Sequence, residues 1–287
     1  MTIDNAMNST SSTEAVVKKS NSRDVDWYHQ TLTWLPKTTS DLLYHYSGIP
    51  REDIIQHIHK IRDKAWDIFP YPCIGVFRFI EFGAYLSPVY PQVVKRLSAG
   101  QTFLDLGCCF GQDIRKLVFD GVPSANLIGV DLHPEFHTLG YELFRDRSTL
   151  QAQFIAQSIF DEDFLPEYHG KIDIMYMGAF LHLFNFEQQR VIMRQVMRLM
   201  RPEKGSMVFG RHVGAEMGGE IKLNGSWDLF GHSDQTIRGL WSEECGEGWE
   251  VQSQLAPFLV DEMMSGNSRP AGQDERIRMM YFSACRV

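Results

Sequence analysis

The fold is predicted from one stretch above all, Thr102-Phe-Leu-Asp-Leu-Gly-Cys-Cys-Phe-Gly111. A short, mostly apolar run leads into a turn that contains Gly107 and Gly111. A helical pattern follows at once over 112–120, with its apolar residues on one side and Gly121 as a stop signal. A buried strand, a glycine-rich turn and a helix in this order form the first unit of an α/β sheet.

Alternating strand and helix patterns continue on the carboxyl side of this unit. Strands are predicted over 127–131, 153–156, 172–177 and 206–209, and helices over 134–145 and from 185 to the residue before Pro202. This alternation predicts right-handed crossovers and a mostly parallel, doubly wound sheet. Two late strands, over 249–251 and 277–285, allow an antiparallel last strand.

The segment 26–100 has a different texture, because it is helical and aromatic. Its apolar residues from Ile54 to Ile68 recur at steps of four and three, which predicts a helix over 51–68. We interpret 26–100 as a lid segment in front of a domain that spans 101–287. Residues 1–25 are rich in Ser, Asn and Thr and are interpreted as a disordered leader.

The stretch 210–248 is long for a connection between two elements and is interpreted as an insertion. It carries Trp227, Phe230 and Trp241 among many glycines. Because long connections in compact domains often serve as lids, we expect it to close over a substrate or to form a subunit contact in a homodimer.

Composition and charge narrow the class of protein. The chain has 287 residues, 44% of them hydrophobic, a net charge of −8 and no apolar run of the ~20 residues that span a bilayer. The acidic charge argues against nucleic acid as a partner, and the five cysteines form no CxxC pair that would indicate a zinc site. We therefore expect a soluble, cytoplasmic protein that binds no metal, no membrane and no nucleic acid, and that acts on a small molecule.

Two acidic residues give the turn its chemistry. Asp131 ends the second strand, where a carboxylate can accept hydrogen bonds from both ribose hydroxyls. Asp105 precedes Gly107 by two residues, where it would repel a pyrophosphate but suits the ammonium of the methionine part of S-adenosylmethionine (SAM). The spacing also differs from the G-x-G-x-x-G pattern of dinucleotide sites. These features favour methyl transfer over hydride transfer.

The pattern from Leu104 to Phe209 resembles that of class I SAM-dependent methyltransferases. The resemblance implies a Rossmann-like, seven-stranded sheet with an N-terminal helical lid, and SAM as the cofactor. The cofactor-binding residues that it implies are Asp105 and Gly107 at the methionine part, Asp131 and Leu132 at the ribose, Ser158 and Ile159 at the adenine, and also Gly111 and Gly178. Two residues depart from the family pattern, because Ser158 replaces a frequent Asp and Cys109 replaces a frequent Gly.

A second stretch carries a closer resemblance. Pro72-Cys-Ile-Gly-Val-Phe-Arg-Phe-Ile-Glu-Phe-Gly-Ala-Tyr-Leu-Ser-Pro88, together with the loop up to Asp113, is similar to fungal methyltransferases of meroterpenoid and related secondary-metabolite pathways. Several members of that family methylate a carboxyl group on a polyketide–terpenoid intermediate. The resemblance therefore implies O-methylation of a carboxyl group, giving a methyl ester, on a small lipophilic metabolite.

His182 is the candidate catalytic residue. It lies just beyond the fourth predicted strand, where this fold places the acceptor. A carboxylate acceptor is ionised at pH 7 and needs no base, whereas a phenol or an alcohol would benefit from one. His182 is therefore either a base or a group that orients the acceptor, and the alternative is a purely structural hydrogen bond.

Four residues are candidates for binding the substrate: Arg78, Tyr85, Arg211 and His212. Arg78 pairs with an acidic ligand or, alternatively, with Glu81 three residues on. Tyr85 belongs to an aromatic stripe that either lines a lipophilic pocket or simply joins the core. Arg211 and His212 either bind an anionic acceptor or form the solvated end of a strand.

Two functions from other classes compete with methyl transfer. One is an NAD(P)-dependent oxidoreductase on a similar sheet, and the other is a non-catalytic nucleoside-binding scaffold protein. The glycine spacing and Asp105 argue against the first, while Cys109 and Ser158 leave the second open.

Overall fold

A seven-stranded sheet forms the centre of the computed structural model, which describes residues 22–32, 35–223, 227–257 and 275–287. The strands are β1 Phe103–Leu106, β2 Leu127–Asp131, β3 Gln153–Ala156, β4 Ile174–Gly178, β5 Met207–Ala215, β8 Trp249–Pro257 and β9 Ile277–Arg286. Their order is β3-β2-β1-β4-β5-β9-β8, and β9 runs antiparallel to both of its neighbours. The predicted doubly wound, mostly parallel seven-stranded sheet is confirmed.

Helices cover the sheet and build the segment in front of it. They are α1 Lys37–His45, α2 Ile54–Ile68, α3 Pro72–Gly75, α4 Tyr90–Ser98, α5 Gln112–Phe119, α6 Pro134–Phe144, α7 Phe186–Leu199 and α8 Asp234–Cys245. One face of the sheet packs on α4 and α5, and the other packs on α7 and α8. The capping box predicted at Asn185 is present, with the Asn185 side chain and Gln188 bonded reciprocally.

The direction of winding reverses between β1 and β4. β1 pairs in parallel with β2 on one side, Leu106 opposite Val130, and with β4 on the other, Asp105 opposite Tyr176. Sheets of this kind bind ligands at the carboxyl ends of the strands beside such a reversal. The turn after β1 and the residues after β4 therefore lie at the expected binding edge.

The segment in front of the sheet has an apolar core of its own. The predicted face of α2 is buried through Ile54, Ile58, Ile61 and Ala65, and the helix ends at Ile68. This core includes residues of α6 and Phe110 from the glycine-rich turn. The N-terminal segment is thus packed directly against the turn that the sequence assigns to the cofactor.

β5 and β8 are longer than the sequence predicts. β5 continues through Ala215 and pairs with β9 as far as Ile277, so residues 210–215 belong to the sheet and not to an insertion. The rest of the stretch folds into a hairpin, β6 Gly219–Leu223 and β7 Trp227–Gly231, and into α8, whose Trp241 is buried in the core. The sequence did not predict this extension of β5, because two polar residues, Arg211 and His212, are typical of the end of a strand.

Two further expectations concern the N-terminal leader and membrane-spanning helices. Residues 1–21 of the predicted leader lie outside the described residues, while Val25 packs against the N-terminal core. Among the described residues, none of the helices combines the length and the apolarity that crossing a membrane requires.

Candidate active site

The glycine-rich turn wraps over the end of β2. The backbone N–H groups of Gly107 and Cys108 donate to the carbonyl of Val130 at 2.8 and 3.0 Å. Gly107, Cys109 and Gly111 have φ angles of 77°, 51° and 64°, all in the left-handed region. For a residue with a Cβ atom this conformation costs about 1–2 kcal/mol, which explains why glycine is frequent at the position of Cys109. The N–H of Cys109 donates to Asp131 Oδ2 at 2.8 Å, and this bond offsets part of the strain.

Asp105 presents a buried carboxylate at this edge. Its exposed fraction is 2%, and Oδ2 has no hydrogen-bond partner within the described parts of the chain. Burial, followed by the charges of Asp113 and Asp131, raises the pKa of Asp105 well above its usual range. A buried carboxylate without a partner is costly, and a cationic ligand group would remove that cost.

Asp131 is held in place by the backbone. Its Oδ2 accepts from Cys109, and its Oδ1 accepts from the N–H of His133 at 3.2 Å. A carboxylate has about four lone-pair sites, so both oxygens can still accept further bonds. Leu132 follows on the surface, with 46% of its area exposed. The predicted ribose-binding pair thus lies next to the turn with its carboxylate fixed.

The predicted glycines are points of close approach. A Cβ atom at Gly107 would come within 2.6 Å of the Phe180 ring, and one at Gly178 would collide with the Tyr176 hydroxyl. Phe180 packs on Phe184 with ring centroids 5.1 Å apart, and it is a site residue that the sequence reasoning missed. An aromatic residue two positions after the glycine that ends β4 is the signal that could have found it.

Ser158 and Ile159 form a turn after β3. The Ser158 hydroxyl accepts from the N–H of Phe160 at 3.2 Å, and Ile159 is buried. The Phe160 ring contacts Phe184 with centroids 5.4 Å apart. The structure therefore brings the predicted adenine segment and the aromatic pair Phe180–Phe184 together.

A charged network joins the N-terminal segment to β5. Arg211 Nη2 lies 2.6 Å from Glu81 Oε2, and Arg78 Nη2 lies 3.6 Å from Glu81 Oε1. Burial raises the pKa of Glu81, but the charges of Arg78 and Arg211 outweigh it and hold that pKa below its usual value. Arg78 thus makes the alternative contact that the sequence allowed. Arg211 is not a solvated strand end, because it is paired and largely buried.

His182 is buried and neutral near pH 7. Its exposed fraction is 7%, and its Nδ1 accepts from the N–H of Val213 at 3.4 Å, so the ring proton lies on Nε2. Burial first, and then the charge of Arg78, lower the pKa of His182 to about 4. In this state Nε2 carries the ring proton, so it can donate a hydrogen bond and is not available as a base.

His212 lies behind His182 in a cluster of three histidine rings. The ring centroids are 6.5 Å apart for His182 and His212, and 5.9 Å apart for His212 and His232. Burial, then His232 and His182, lower the pKa of His212 well below its usual value, so His212 offers no positive charge to an anionic acceptor. His232, which the sequence reasoning missed, bonds Gln189 of α7 at 2.5 Å.

Tyr85 lies apart from these groups. Its side chain is 41% exposed and packs edge-on against Tyr90, with centroids 5.4 Å apart. The Lys116 ammonium lies 4.4 Å above its ring. The structure places Tyr85 on the outer surface over α4 and α5, so it does not join the predicted substrate residues at the carboxyl edge.

Two family models match the chain. A meroterpenoid methyltransferase N-terminal domain matches residues 27–80, and a methyltransferase domain matches residues 103–203. The first match covers the N-terminal segment, and the second covers the sheet from β1 to the end of α7.

Curated relatives come from fungi. The O-methyltransferase atr3 of Stereocaulon alpinum is 43% identical over 83% of this chain and 71% of that protein. The O-methyltransferase phiE of a fungal species (strain ATCC 74256) is 40% identical over 80% of this chain and 79% of that protein. The Asnovolin E/Chermesin D methyltransferase nvfJ of Aspergillus novofumigatus is 48% identical over 60% of this chain and 63% of that protein.

Among solved structures, a 1,6-didemethyltoxoflavin-N1-methyltransferase of Burkholderia thailandensis with bound S-adenosylhomocysteine is similar. The identity is 16%, the TM-score is 0.48, and the match covers 85% of this chain and 90% of that one. The family assignment rests on the sequence relatives and not on this likeness.

The cofactor of these enzymes is SAM, and the buried Asp105 carboxylate fits its ammonium group. The matches exclude the oxidoreductase and the non-catalytic scaffold as alternatives. The chain therefore belongs to the SAM-dependent O-methyltransferases of fungal meroterpenoid and related secondary-metabolite pathways.

Proposed function

We propose that the chain methylates a carboxylate oxygen of a small lipophilic metabolite of polyketide–terpenoid origin, which gives a methyl ester. The observation that carries this proposal is the hydrogen bond from the Val213 N–H to His182 Nδ1, which leaves the ring proton on Nε2. Because its Nδ1 accepts from Val213 and its pKa is lowered to about 4, it serves a carboxylate better than a phenol.

The acceptor side of the site favours an anion. The positive charge of Arg78 reaches His182, where it opposes protonation of the ring. A carboxylate acceptor is ionised at pH 7 and needs no base, and the Nε2–H of His182 can donate a hydrogen bond that orients it. A phenol must lose a proton during the reaction. His182 in this tautomer cannot accept that proton at Nε2, because Nε2 already carries the ring proton.

The cofactor side of the site favours a cation. Asp105 would bind the ammonium of the methionine part, Asp131 the ribose hydroxyls, and the segment of Ser158 and Ile159 the adenine. When bound, SAM supplies a methyl group on a sulfonium, which the acceptor oxygen takes as the S–C bond breaks and the O–C bond forms. The chain has to align the two partners and exclude water, and the rings of Phe180 and Phe184 suit the second task.

The relatives support the acceptor class. The matching N-terminal family model is described as a meroterpenoid methyltransferase N-terminal domain, and nvfJ is named as an asnovolin E/chermesin D methyltransferase. The half-buried aromatic residues beside the glycine-rich turn suit a lipophilic acceptor.

A panel of acceptors tests the proposal. The purified chain is incubated with SAM and with pairs of meroterpenoids. Both members of a pair carry a free hydroxyl group, but one has a free carboxyl group where the other has its methyl ester. We expect S-adenosylhomocysteine to form only with the free acids, and the product to release methanol on mild alkaline hydrolysis. A product that resists alkali, as a methyl ether does, would refute the carboxyl assignment.

A further inference from the structure

A fully buried ion pair lies beneath the glycine-rich turn. The Arg115 side chain on α5 has an exposed fraction of 0%, and it donates to both oxygens of Asp146 at 2.8 and 3.0 Å. Such a two-bonded pair fixes the plane of the guanidinium as well as its position. The rings of Tyr141, Phe144 and Phe154 lie 4.9–5.1 Å from the guanidinium carbon and shield it from water.

The same guanidinium contacts the turn. Arg115 Nη1 donates to the carbonyl of Phe110 at 2.7 Å. Phe110 lies between Cys109 and Gly111, whose φ angles of 51° and 64° are both left-handed. A Cβ atom at Gly111 would come within 2.6 Å of Arg115 Nη1. A backbone of this kind persists only where its surroundings fix it, and Arg115 is the group that does so from below.

The N-terminal segment supplies the third member. The Tyr46 hydroxyl, directly after α1, donates to Asp146 Oδ2 at 2.8 Å. Burial, and then the charge of Asp146, raise the pKa of Tyr46, so the hydroxyl keeps its proton and remains a donor near neutral pH. A chain of hydrogen bonds thus runs from the N-terminal segment through Asp146 and Arg115 to the carbonyl of Phe110.

We propose that Tyr46, Asp146 and Arg115 form a positioning relay that couples docking of the N-terminal segment to cofactor binding. None of the three touches the reacting atoms. Each holds the next, and Arg115 keeps the turn in the shape that receives the methionine part. Because coupling between two sites is reciprocal, the cofactor must in turn stabilise the N-terminal segment. The proposal concerns the cofactor and does not depend on the chemical class of the acceptor.

The variant Tyr46→Phe removes one hydroxyl and leaves the ring. We expect it to raise the Kd for S-adenosylhomocysteine, measured by calorimetry without an acceptor, by roughly fivefold or more. We expect kcat at saturating SAM to stay within about twofold of the wild-type value, since alignment of the bound partners is unchanged.

The chain offers a matched control. Tyr28 donates to Asp63 at 2.8 Å, and Asp63 pairs with the buried Arg62, so this trio has the same donor and acceptor groups around a carboxylate that is 40% exposed. Arg62, however, donates to the carbonyl of His29 within the N-terminal segment and not to the turn. Tyr28→Phe should lower the melting temperature as Tyr46→Phe does and leave the Kd unchanged. The relay would be refuted if Tyr46→Phe had the Kd of the wild type. It would also be refuted if both variants lost the same affinity for S-adenosylhomocysteine.

Hydrogen exchange on the wild-type chain gives a second test that needs no variant. S-adenosylhomocysteine should slow amide exchange in residues 107–113 and also in residues 42–48. Slower exchange in the turn alone would refute the coupling.

Discussion

The carboxyl edge of the sheet has two halves of opposite character. The acidic half consists of Asp105, Asp113 and Asp131, and the basic half consists of Arg78 and Arg211 around Glu81, with neutral His182 beside them. The halves meet at Tyr176, whose pKa is raised by burial first and then by Asp113, while Arg211 opposes the rise. Acidic and basic side chains are thus separated along this edge, and under the proposed function they would draw a cationic cofactor part and an anionic acceptor to different sides.

The origin of this separation lies in the topology. The acids come from the ends of β1 and β2 and from the start of α5, on one side of the reversal in winding. Arg211 and His182 come from β5 and from the turn after β4, on the other side. Arg78 and Glu81 come from the N-terminal segment, so the basic half is complete only when that segment is docked.

The variant Asp105→Asn tests the acidic half and should have the largest effect. It keeps the shape of the side chain but turns an amide donor or a neutral oxygen toward the ammonium. We expect the Kd for S-adenosylhomocysteine, measured by calorimetry, to rise about 100-fold, since a charge-assisted hydrogen bond contributes about 1.5–3 kcal/mol.

The stability of the cofactor-free chain should change in the opposite direction. Because Oδ2 of the buried Asp105 carboxylate has no hydrogen-bond partner among the described residues, replacing the carboxylate by a neutral amide should raise the melting temperature without ligand. An unchanged Kd would show that the acidic half does not bind the cofactor, and a lower melting temperature would show that Asp105 has a structural role instead.

The pair His182→Ala and His182→Gln tests the basic half. If His182 orients the acceptor through Nε2–H, the alanine variant should lower kcat about five- to tenfold, and glutamine, which keeps an N–H donor, should lower it less. Steady-state kinetics with a carboxylic acid acceptor measure both values, and the KM for SAM serves as the internal control. A loss of 100-fold or more in both variants would identify a base and contradict the donor role.

The sequence predicts the position of a site residue only where a local pattern determines that position. Asp131 ends one short apolar strand and Asp105 lies one residue before the end of another, so a local pattern is enough to predict that both lie at this edge. The basic half depends on contacts between residues far apart in the chain, such as Arg211 with Glu81, 130 positions earlier. A local pattern contains no information about such a contact, so the sequence allowed Arg211 either to bind an anionic acceptor or to form the solvated end of a strand.

The same limit explains the errors and the omissions. Tyr85 was assigned to the site because it belongs to an aromatic stripe. Gly83 and Ala84, which precede it, lie in a turn, and the Tyr85 side chain lies on the surface. Ala84 itself donates to Asp113 at 2.8 Å in the acidic half. Arg115 and His232 were missed because their partners, Asp146 and Gln189, lie on other elements.

The pH dependence of cofactor binding also distinguishes the acidic half from the basic half. Burial, opposed by the Ala84 N–H and by Arg211, raises the pKa of Asp113 to about 6. The raised pKa means that a proton on Asp113 favours the folded, cofactor-free chain below pH 6, and that this contribution is lost as the pH rises through about 6. A cationic ligand competes with that proton, so its Kd should rise as the pH falls.

We expect a rise of at least about fourfold between pH 7 and pH 5.5, the value for one displaced proton with a pKa near 6, because Asp105, whose pKa is also raised, can give up a second proton to the cation. Calorimetry over this range measures it, and Asp113→Asn should make the profile less steep by the contribution of its one proton. The histidines of the basic half should not contribute, because burial and Arg78 lower the pKa of His182 to about 4, below the range. A steeper profile in Asp113→Asn than in the wild type would contradict the assignment.

Cys109→Gly separates charge from backbone shape and should have the smallest effect. Glycine adopts the φ of 51° without the strain of a Cβ atom, but it also makes the unfolded chain more flexible, so the free energy of unfolding should change by no more than about 1 kcal/mol. The N–H of residue 109 can still donate to Asp131, and no charge in the acidic half is altered.

The Kd for S-adenosylhomocysteine should therefore stay within about twofold in Cys109→Gly, whereas Gly111→Ala, which places a Cβ atom 2.6 Å from Arg115 Nη1, should weaken binding more. Calorimetry and thermal unfolding of the two variants side by side measure both quantities. If Cys109→Gly weakened binding as much as Asp105→Asn, the conformation of the turn, and not the charge of the acidic half, would govern affinity for the cofactor.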